Sequence, residues 1–267
     1  MPLLRAGDIE LDYERRGSGP PLLLIMGMSG TRAHWSERFL ALLERDFEVI
    51  AYDHRGVGAS SRVHSSFTIL DLAADAAALL SGLQLDSAHV LGFSMGGMVA
   101  QELTLAHPQR IRTLTLAGTY CGGEGSALAT DKATRILRDA VATRDREQAV
   151  QAAWQVNVSE AFATDAQAHA DFMQIGMSKG VASAVVMEQM RAIAGHDTTA
   201  RLGEIEAPTL IVHGSEDLML PVSNAHLIAG LMPDAGLEII DGAGHLFFWE
   251  QPERAADLLL EHTAVRA

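Results

Sequence analysis

One segment constrains the fold of this chain more than any other: the sequence GFSMG at positions 92–96. The apolar run at 88–91 before it predicts a β-strand, and the run at 98–103 after it predicts a helix. In a strand–turn–helix context, a G-x-S-x-G pattern is typical of a nucleophile elbow, and its glycines let strand and helix approach closely. The segment therefore predicts an α/β fold in which Ser94 stands above a strand end in a strained backbone conformation.

Strand and helix patterns alternate on both sides of this turn. A predicted antiparallel hairpin at 3–13 is followed by apolar runs that are typical of parallel strands covered on both faces. Those runs lie at 21–27, 47–53, 88–91, 111–119, 208–214 and 236–242. Predicted helices lie at 31–44, 68–83, 222–231 and 252–262, besides the one after the elbow. The alternation predicts a doubly wound, mostly parallel twisted sheet flanked by helices, with right-handed crossovers.

The segment from 120 to 202 interrupts this alternation. Its pattern is helical, with no convincing strand, and it lies between two predicted strands. We interpret it as an inserted helical cap over the carboxyl ends of the strands, where such sheets bind ligands. The predicted domains are thus an α/β core at 1–119 and 203–267 and a cap at 120–202.

Composition excludes several classes of function. The 267 residues, 48% of them hydrophobic, suit one large domain with an insertion. The net charge of −14 argues against nucleic acid or an anionic membrane as partner, and no apolar stretch approaches bilayer length. A lone cysteine, Cys121, rules out an internal disulfide and fits a reducing compartment, so we expect a cytoplasmic protein. Because no histidine cluster has metal-ligand spacing, we expect neither a metal nor a cofactor.

Two further residues complete a candidate catalytic set. A serine hydroxyl needs a base, and the base needs an orienting acid. On an elbow fold these follow in the order serine, acid, histidine, on loops after later strands. Asp217 follows the strand at 208–214, and His245 follows the last strand, so we predict that Asp217 orients His245 and that His245 activates Ser94. Glu216 is the alternative acid; a helix-capping Asp217 and a loop His245 without a catalytic role are the alternative interpretations.

The same geometry predicts an oxyanion hole of two backbone N–H groups. One is that of Met95, because the first N–H groups of a helix have no partner within it. The other is that of Met28, in the glycine-containing loop at 26–30 after the first buried strand. Ser29 in this loop either adds a hydroxyl or caps the next helix.

Four segments carry a resemblance to a known family. They are GFSMGG, DHRGVGAS, PTLIVHGSEDLMLP and GAGHLFFWEQPE, and together they resemble the α/β-hydrolase superfamily. The resemblance covers nearly all of the chain outside the cap and is closest to the small, capped carboxylesterases, enol-lactonases and related lactone hydrolases. It implies the α/β-hydrolase fold with a helical cap. The chain departs from the family at Met26, where His usually precedes the glycine of the oxyanion loop.

The resemblance also narrows the chemistry. Haloalkane dehalogenases and most epoxide hydrolases of this fold carry aspartate at the elbow, dienelactone hydrolases carry cysteine, and carbon–carbon hydrolases often have asparagine before the serine. This chain has Ser94 preceded by Phe93. The resemblance therefore implies acyl transfer to water through an acyl-enzyme.

Methionines surround the predicted site and favour an apolar substrate. Met26 and Met98 flank it together with the two oxyanion methionines, and the cap contributes Met173, Met177, Met187 and Met190. Methionine suits an adaptable apolar pocket, although any of these side chains can equally be a core residue. We expect a small-molecule partner, a small to medium apolar carboxylic ester. The alternatives are an enol- or acyl-lactone hydrolase, a cofactor-free perhydrolase or haloperoxidase, and a ligand-binding protein on a hydrolase scaffold.

Overall fold

The sheet is the frame on which the candidate site is built. The computed structural model describes residues 3–178 and 180–264. Its strands are β1 (Leu3–Ala6), β2 (Ile9–Arg16), β3 (Pro21–Ile25), β4 (Glu48–Tyr52), β5 (Ala88–Phe93), β6 (Ile111–Ala117), β7 (Thr209–Gly214) and β8 (Gly236–Ile240). They form one sheet in the order β1-β2-β4-β3-β5-β6-β7-β8, parallel throughout except for the pairs β1–β2 and β2–β4. The predicted mostly parallel sheet with an antiparallel hairpin at its edge is confirmed.

Helices connect the strands. They are α1 (Glu37–Leu43), α2 (Ile69–Gly82), α3 (Met95–Ala106), α4 (Asp131–Thr143), α5 (Arg146–Asn157), α6 (Ala166–Ser178), α7 (Ser183–Ala194), α8 (Ser223–Leu231), α9 (Phe247–Glu250) and α10 (Pro252–Ala264). The prediction of one helix over 31–44 is wrong. Ser36 takes a left-handed φ of 60°, which separates a short 3-10 helix, Arg32–Trp35, from α1.

The hydrophobic core lies on both faces of the sheet. Leu23 and Ile25 of β3 belong to one cluster of buried residues, and Leu22 and Leu24 belong to the other. Successive side chains of a strand point to opposite faces, so a strand covered on both sides must be apolar throughout. This explains why β3 is apolar along its whole length. Packing on both faces also holds the ends of the strand, where the candidate site lies, in a fixed position.

The helices α4 to α7 lie in sequence between β6 and β7. Among the described residues at 120–202 no strand occurs, in keeping with the helical pattern. Their side chains are less buried than those of the sheet: α4 buries only Ala133, and α6 buries only Phe172. The division into a core at 1–119 and 203–267 and a cap at 120–202 stays a prediction.

Candidate active site

Ser94 lies between β5 and α3 at a sharp turn. Its backbone angles are φ 56° and ψ −123°, a left-handed φ that is strained for any residue other than glycine. The Ser94 N–H donates to the Ala117 carbonyl oxygen at 2.9 Å, and the Thr119 hydroxyl donates to the Ser94 carbonyl oxygen at 2.7 Å. A Cβ atom at Gly96 would collide with the Ile25 carbonyl oxygen at the end of β3, so β3 and α3 pack this closely only with glycine there. The strained turn predicted from the motif is present.

Asp217 and His245 lie side by side on the loops after β7 and β8. The Asp217 Oδ2 atom is 2.6 Å from His245 Nδ1, and its Oδ1 atom accepts from the N–H groups of Met219 and Leu220, each at 2.8 Å. Both side chains are buried, whereas Glu216, the alternative acid, is exposed. The structure thus brings together the acid and the histidine that the sequence singled out.

The charge on Asp217 determines which histidine nitrogen carries the proton. Burial by itself would raise the pKa of this carboxyl, but His245 and His213 beside it outweigh burial and hold the pKa well below its usual range. His213 Nε2 lies 2.6 Å from the Leu220 carbonyl oxygen and 3.1 Å from Asp217 Oδ2, so it is a donor. A carboxylate at His245 Nδ1 requires a proton on that atom, which leaves Nε2 free to accept one when the ring is neutral.

The His245 loop is held by residues that sequence reasoning missed. Glu250 Oε1 accepts from the N–H groups of Gly244, at 2.8 Å, and Ser159, at 3.0 Å, while Glu250 Oε2 accepts from the Ser159 hydroxyl at 2.5 Å. The Leu246 N–H donates to the carbonyl oxygen of Asn157, the last residue of α5, at 2.7 Å. On both sides of His245, the loop is therefore tied to the helical segment at 120–202. No local signal marks Glu250, because its role depends on a partner 91 residues away.

The loop at 26–30 lies against Ser94. A Cβ atom at Gly27 would be 2.9 Å from the Ser94 Cβ atom, so only a residue without a side chain fits there without a shift. His54 Nε2 lies 2.8 Å from the Met26 carbonyl oxygen, and the Ser29 N–H donates to Gln189 Oε1 at 2.9 Å. The loop is next to the serine, as the oxyanion prediction requires. The roles of the Met28 and Met95 N–H groups stay predictions.

The other histidines near the core are poor candidates for a base. Burial lowers the pKa values of His34, His54 and His89 to about 4 each. Each also has a neighbour of its own: Thr31 for His34, the Met26 carbonyl for His54 and the Thr113 hydroxyl for His89. These rings are neutral near pH 7, and each already has a polar partner within the protein.

The candidate pocket methionines divide into three groups by exposure. Met26, Met95 and Met98 are buried with the core clusters, and Met28 and Met173 are half-buried. The most exposed ones are Met177, Met187 and Met190, at 40%, 63% and 50%. These three side chains are therefore not packed into the hydrophobic core of the described structure. Contact with a ligand, for any of the methionines, stays a prediction.

Residues 3–178 and 180–264 give little support for a metal-dependent reaction or for a cysteine nucleophile. In that part of the chain, no group of three or more His, Cys, Asp or Glu side chains is arranged to hold a metal ion. Burial raises the pKa of the Cys121 thiol, which disfavours the thiolate that a nucleophile needs. The same described residues include no helix of sufficient length and hydrophobicity to cross a bilayer.

Comparisons with known proteins agree with this fold. A family model described as the alpha/beta hydrolase fold matches residues 20–252. A protein of Azorhizobium caulinodans named "Putative carbamate hydrolase RutD" is 29% identical over 269 positions, covering 97% of each chain. A thermophilic esterase of Thermogutta terrifontis has 27% identity and a TM-score of 0.78, covering 95% of this chain and 92% of its own. Est816, described as an N-acyl homoserine lactone degrading enzyme, has 28% identity and a TM-score of 0.81, covering 97% of this chain and 99% of its own.

Proposed function

Because the chain belongs to the alpha/beta hydrolase fold family, we propose that it cleaves carboxylic esters of small to medium apolar substrates through an acyl-enzyme on Ser94. The observation that carries the proposal is the Asp217–His245 pair, with Oδ2 and Nδ1 2.6 Å apart. The ring of Phe93, the residue before Ser94, is tilted by 47° against the His245 ring, with the ring centres 4.6 Å apart. The pair thus lies beside the strained turn that presents the serine.

The first half of the reaction forms the acyl-enzyme. His245 Nε2 takes the proton of the Ser94 hydroxyl as Oγ attacks the ester carbonyl carbon. The carbonyl oxygen becomes an oxyanion, which the N–H groups of Met28 and Met95 stabilise. The imidazolium then gives its proton to the leaving alcohol as the carbon–oxygen bond breaks. Asp217 stabilises the imidazolium and keeps its proton on Nδ1.

The second half repeats the sequence with water. His245 removes a proton from a water molecule that attacks the acyl carbonyl, and returns it to Ser94 Oγ as the acid product leaves. Every proton that moves passes through one histidine nitrogen. The anchored His245 loop supports this use of one nitrogen. If the His245 ring moved away from Asp217 or Ser94, both halves of the reaction would be slowed.

Lactone or carbamate hydrolysis is the second candidate. The descriptions of Est816 as an N-acyl homoserine lactone degrading enzyme and of the Azorhizobium protein as a putative carbamate hydrolase favour it. Lactones and carbamates both contain a carbonyl carbon that a serine hydroxyl attacks. The same three side chains serve a lactone, where the leaving alcohol stays attached to the acyl group. Relative rates on a phenyl ester, an N-acyl homoserine lactone and a phenyl carbamate separate the candidates, and we expect the ester to be fastest.

The proposal is tested by Ser94→Ala with Ser65→Ala, an exposed serine, as control. We expect Ser94→Ala to lower kcat on p-nitrophenyl butyrate by about 10⁴-fold or more, because no acyl-enzyme can form. A p-nitrophenyl phosphate triester should label the wild type and Ser65→Ala, with a matching mass increase, but not Ser94→Ala. Equal turnover by folded Ser94→Ala would show that Ser94 is not the nucleophile.

A further inference from the structure

Gln189 differs from its neighbours on α7. Met187 and Met190 on the same helix are largely exposed, whereas Gln189 is completely buried. Its Oε1 atom accepts the Ser29 N–H at 2.9 Å. A polar side chain that reaches from this helix into the interior is costly to bury unless its amide is fully used.

Only half of this amide is used. Because the Ser29 N–H is a donor, the atom that faces it must be the oxygen, and this assigns the other atom as Nε2. Among the described residues, Nε2 has no hydrogen-bond partner, although it is buried. Buried donors without a partner are rare, and one beside a candidate site calls for an acceptor that arrives from outside the chain.

The unpaired donor lies next to the loop that touches the candidate nucleophile. Ser29 belongs to the turn in which the Gly30 N–H donates to the Gly27 carbonyl oxygen at 3.3 Å. Gly27 in turn packs against Ser94. The amide of Gln189 thus contacts the loop that carries the predicted oxyanion donor Met28. A ligand bound at Ser94 would thus lie beside the loop that Gln189 holds.

We propose that Gln189 is a specificity-determining residue that binds substrate through Nε2, while Oε1 holds the oxyanion loop. The ligand group it takes is a second hydrogen-bond acceptor close to the scissile carbonyl, such as an ether or carbonyl oxygen. This inference rests on the proposed ester hydrolysis at Ser94. It makes the substrate an ester with a polar atom near the reacting bond, rather than a purely apolar one.

Two pairs of isosteric esters test the inference. Ethyl methoxyacetate and ethyl butyrate differ by one ether oxygen on the acyl side, and 2-methoxyethyl acetate and butyl acetate differ by one on the alcohol side. Within each pair, kcat/KM is measured by pH-stat and expressed as the ratio of the ether-containing ester to its hydrocarbon partner. Intrinsic reactivity cancels when the ratio of a variant is divided by that of the wild type.

Gln189→Met removes the donor with little change in side-chain length. We expect the ratio for at least one pair to fall about 2- to 10-fold, the range of a single hydrogen bond. Glu188→Gln, a neighbouring change on α7, should leave both ratios unchanged. A purely structural role of Gln189 would slow both esters of a pair equally and leave the ratio unaltered.

A second variant covers the case in which Gln189→Met does not fold. Gln189→Glu keeps an acceptor for the Ser29 N–H, and at pH 9 its ionised carboxylate has no proton to donate, so the same ratio should fall. Unchanged ratios in both pairs for a folded variant would overturn the inference and mean that water or nothing faces Nε2. If the wild type hydrolyses none of the four esters, the proposed function itself fails, and the inference fails with it.

Discussion

The elbow helix α3 and the helix α4 show how differently two regions of this molecule are built. Every residue of α3 from Met95 to Thr104 is buried, whereas α4 buries only Ala133. The same contrast holds for the candidate side chains: Asp217 is buried and makes several hydrogen bonds, while Met187 is mostly exposed. The proposed catalytic acid is thus held by several contacts at a strand end. The helical segment has room to vary.

The two regions nevertheless meet at the site loops. The Asn157 carbonyl oxygen binds the Leu246 N–H, Ser159 binds Glu250, and Gln189 binds the Ser29 N–H. Each contact joins a polar group of the helical segment to a loop next to Ser94 or His245, or to α9, which follows the His245 loop. We therefore expect the helical segment to affect catalysis through these hydrogen bonds, and substrate choice through the surface it presents.

The largest effect that we expect lies on the strand-end side. Asp217→Asn should lower kcat by about 10⁴-fold, because an amide favours the wrong tautomer of His245. Glu216→Gln, one residue away and exposed, is the matched control and should retain wild-type kcat. Steady-state rates on p-nitrophenyl butyrate check both. A larger loss in Glu216→Gln would place the acid one residue earlier and contradict the geometry.

The next prediction concerns the helical side. Met173 is half-buried, so Met173→Ala should admit bulkier acyl groups. The ratio of kcat/KM on a bulky ester to kcat/KM on a short ester should change by the equivalent of about 1–3 kcal/mol. Met187→Ala is the control, because its 63% exposure leaves little to enclose. An equal shift in both variants would remove the distinction between buried and exposed methionines, and no shift in either would make Met173 a packing residue.

A contact between the two regions should give an intermediate effect. Glu250→Ala removes the acceptor for Gly244 and Ser159, so the His245 loop should loosen and kcat should fall about 10-fold, the cost of one or two hydrogen bonds to a charged group. Glu253→Ala, which loses only a surface ion pair with Arg38, is the control. A fall in thermal stability with unchanged kcat would restrict Glu250 to a structural role.

The smallest predicted effect follows from burial at the strand ends. Burial lowers the pKa of His54 to about 4, so below about pH 6.5 the unfolded chain binds a proton that the folded protein does not. Stability should therefore fall as the pH drops from about 6.5 towards 4. His54→Gln keeps a donor for the Met26 carbonyl and should reduce this dependence, whereas the exposed His64→Gln should not. The test is to measure melting temperatures at pH 7.5 and pH 5. An equal fall in melting temperature for the wild type and His54→Gln would contradict the assignment of this pH dependence to His54.

Much of the fold was predictable because local pattern and tertiary structure agree in it. The continuous apolar run of β3 is the direct result of burial on both faces. The glycines at 92 and 96 follow from the close packing of α3 against β5 and β3. The helix over 31–44 was predicted wrongly because its periodicity continues through Ser36, where the backbone changes direction. Nothing in the local sequence distinguishes that serine from one inside a helix.

The sequence by itself determined the sheet, the strained turn at Ser94 and the order of serine, acid and histidine, because each depends on residues adjacent in the chain or on strand ends that must meet at one edge. Only the tertiary structure decided that Asp217 rather than Glu216 lies against His245, that Glu250 holds the His245 loop and that Gln189 turns inward while Met187 and Met190 face solvent. These depend on contacts between residues far apart in sequence. A shift by one turn of a helix or by one residue of a loop would change these contacts. The local sequence does not show which distant residue will be the partner.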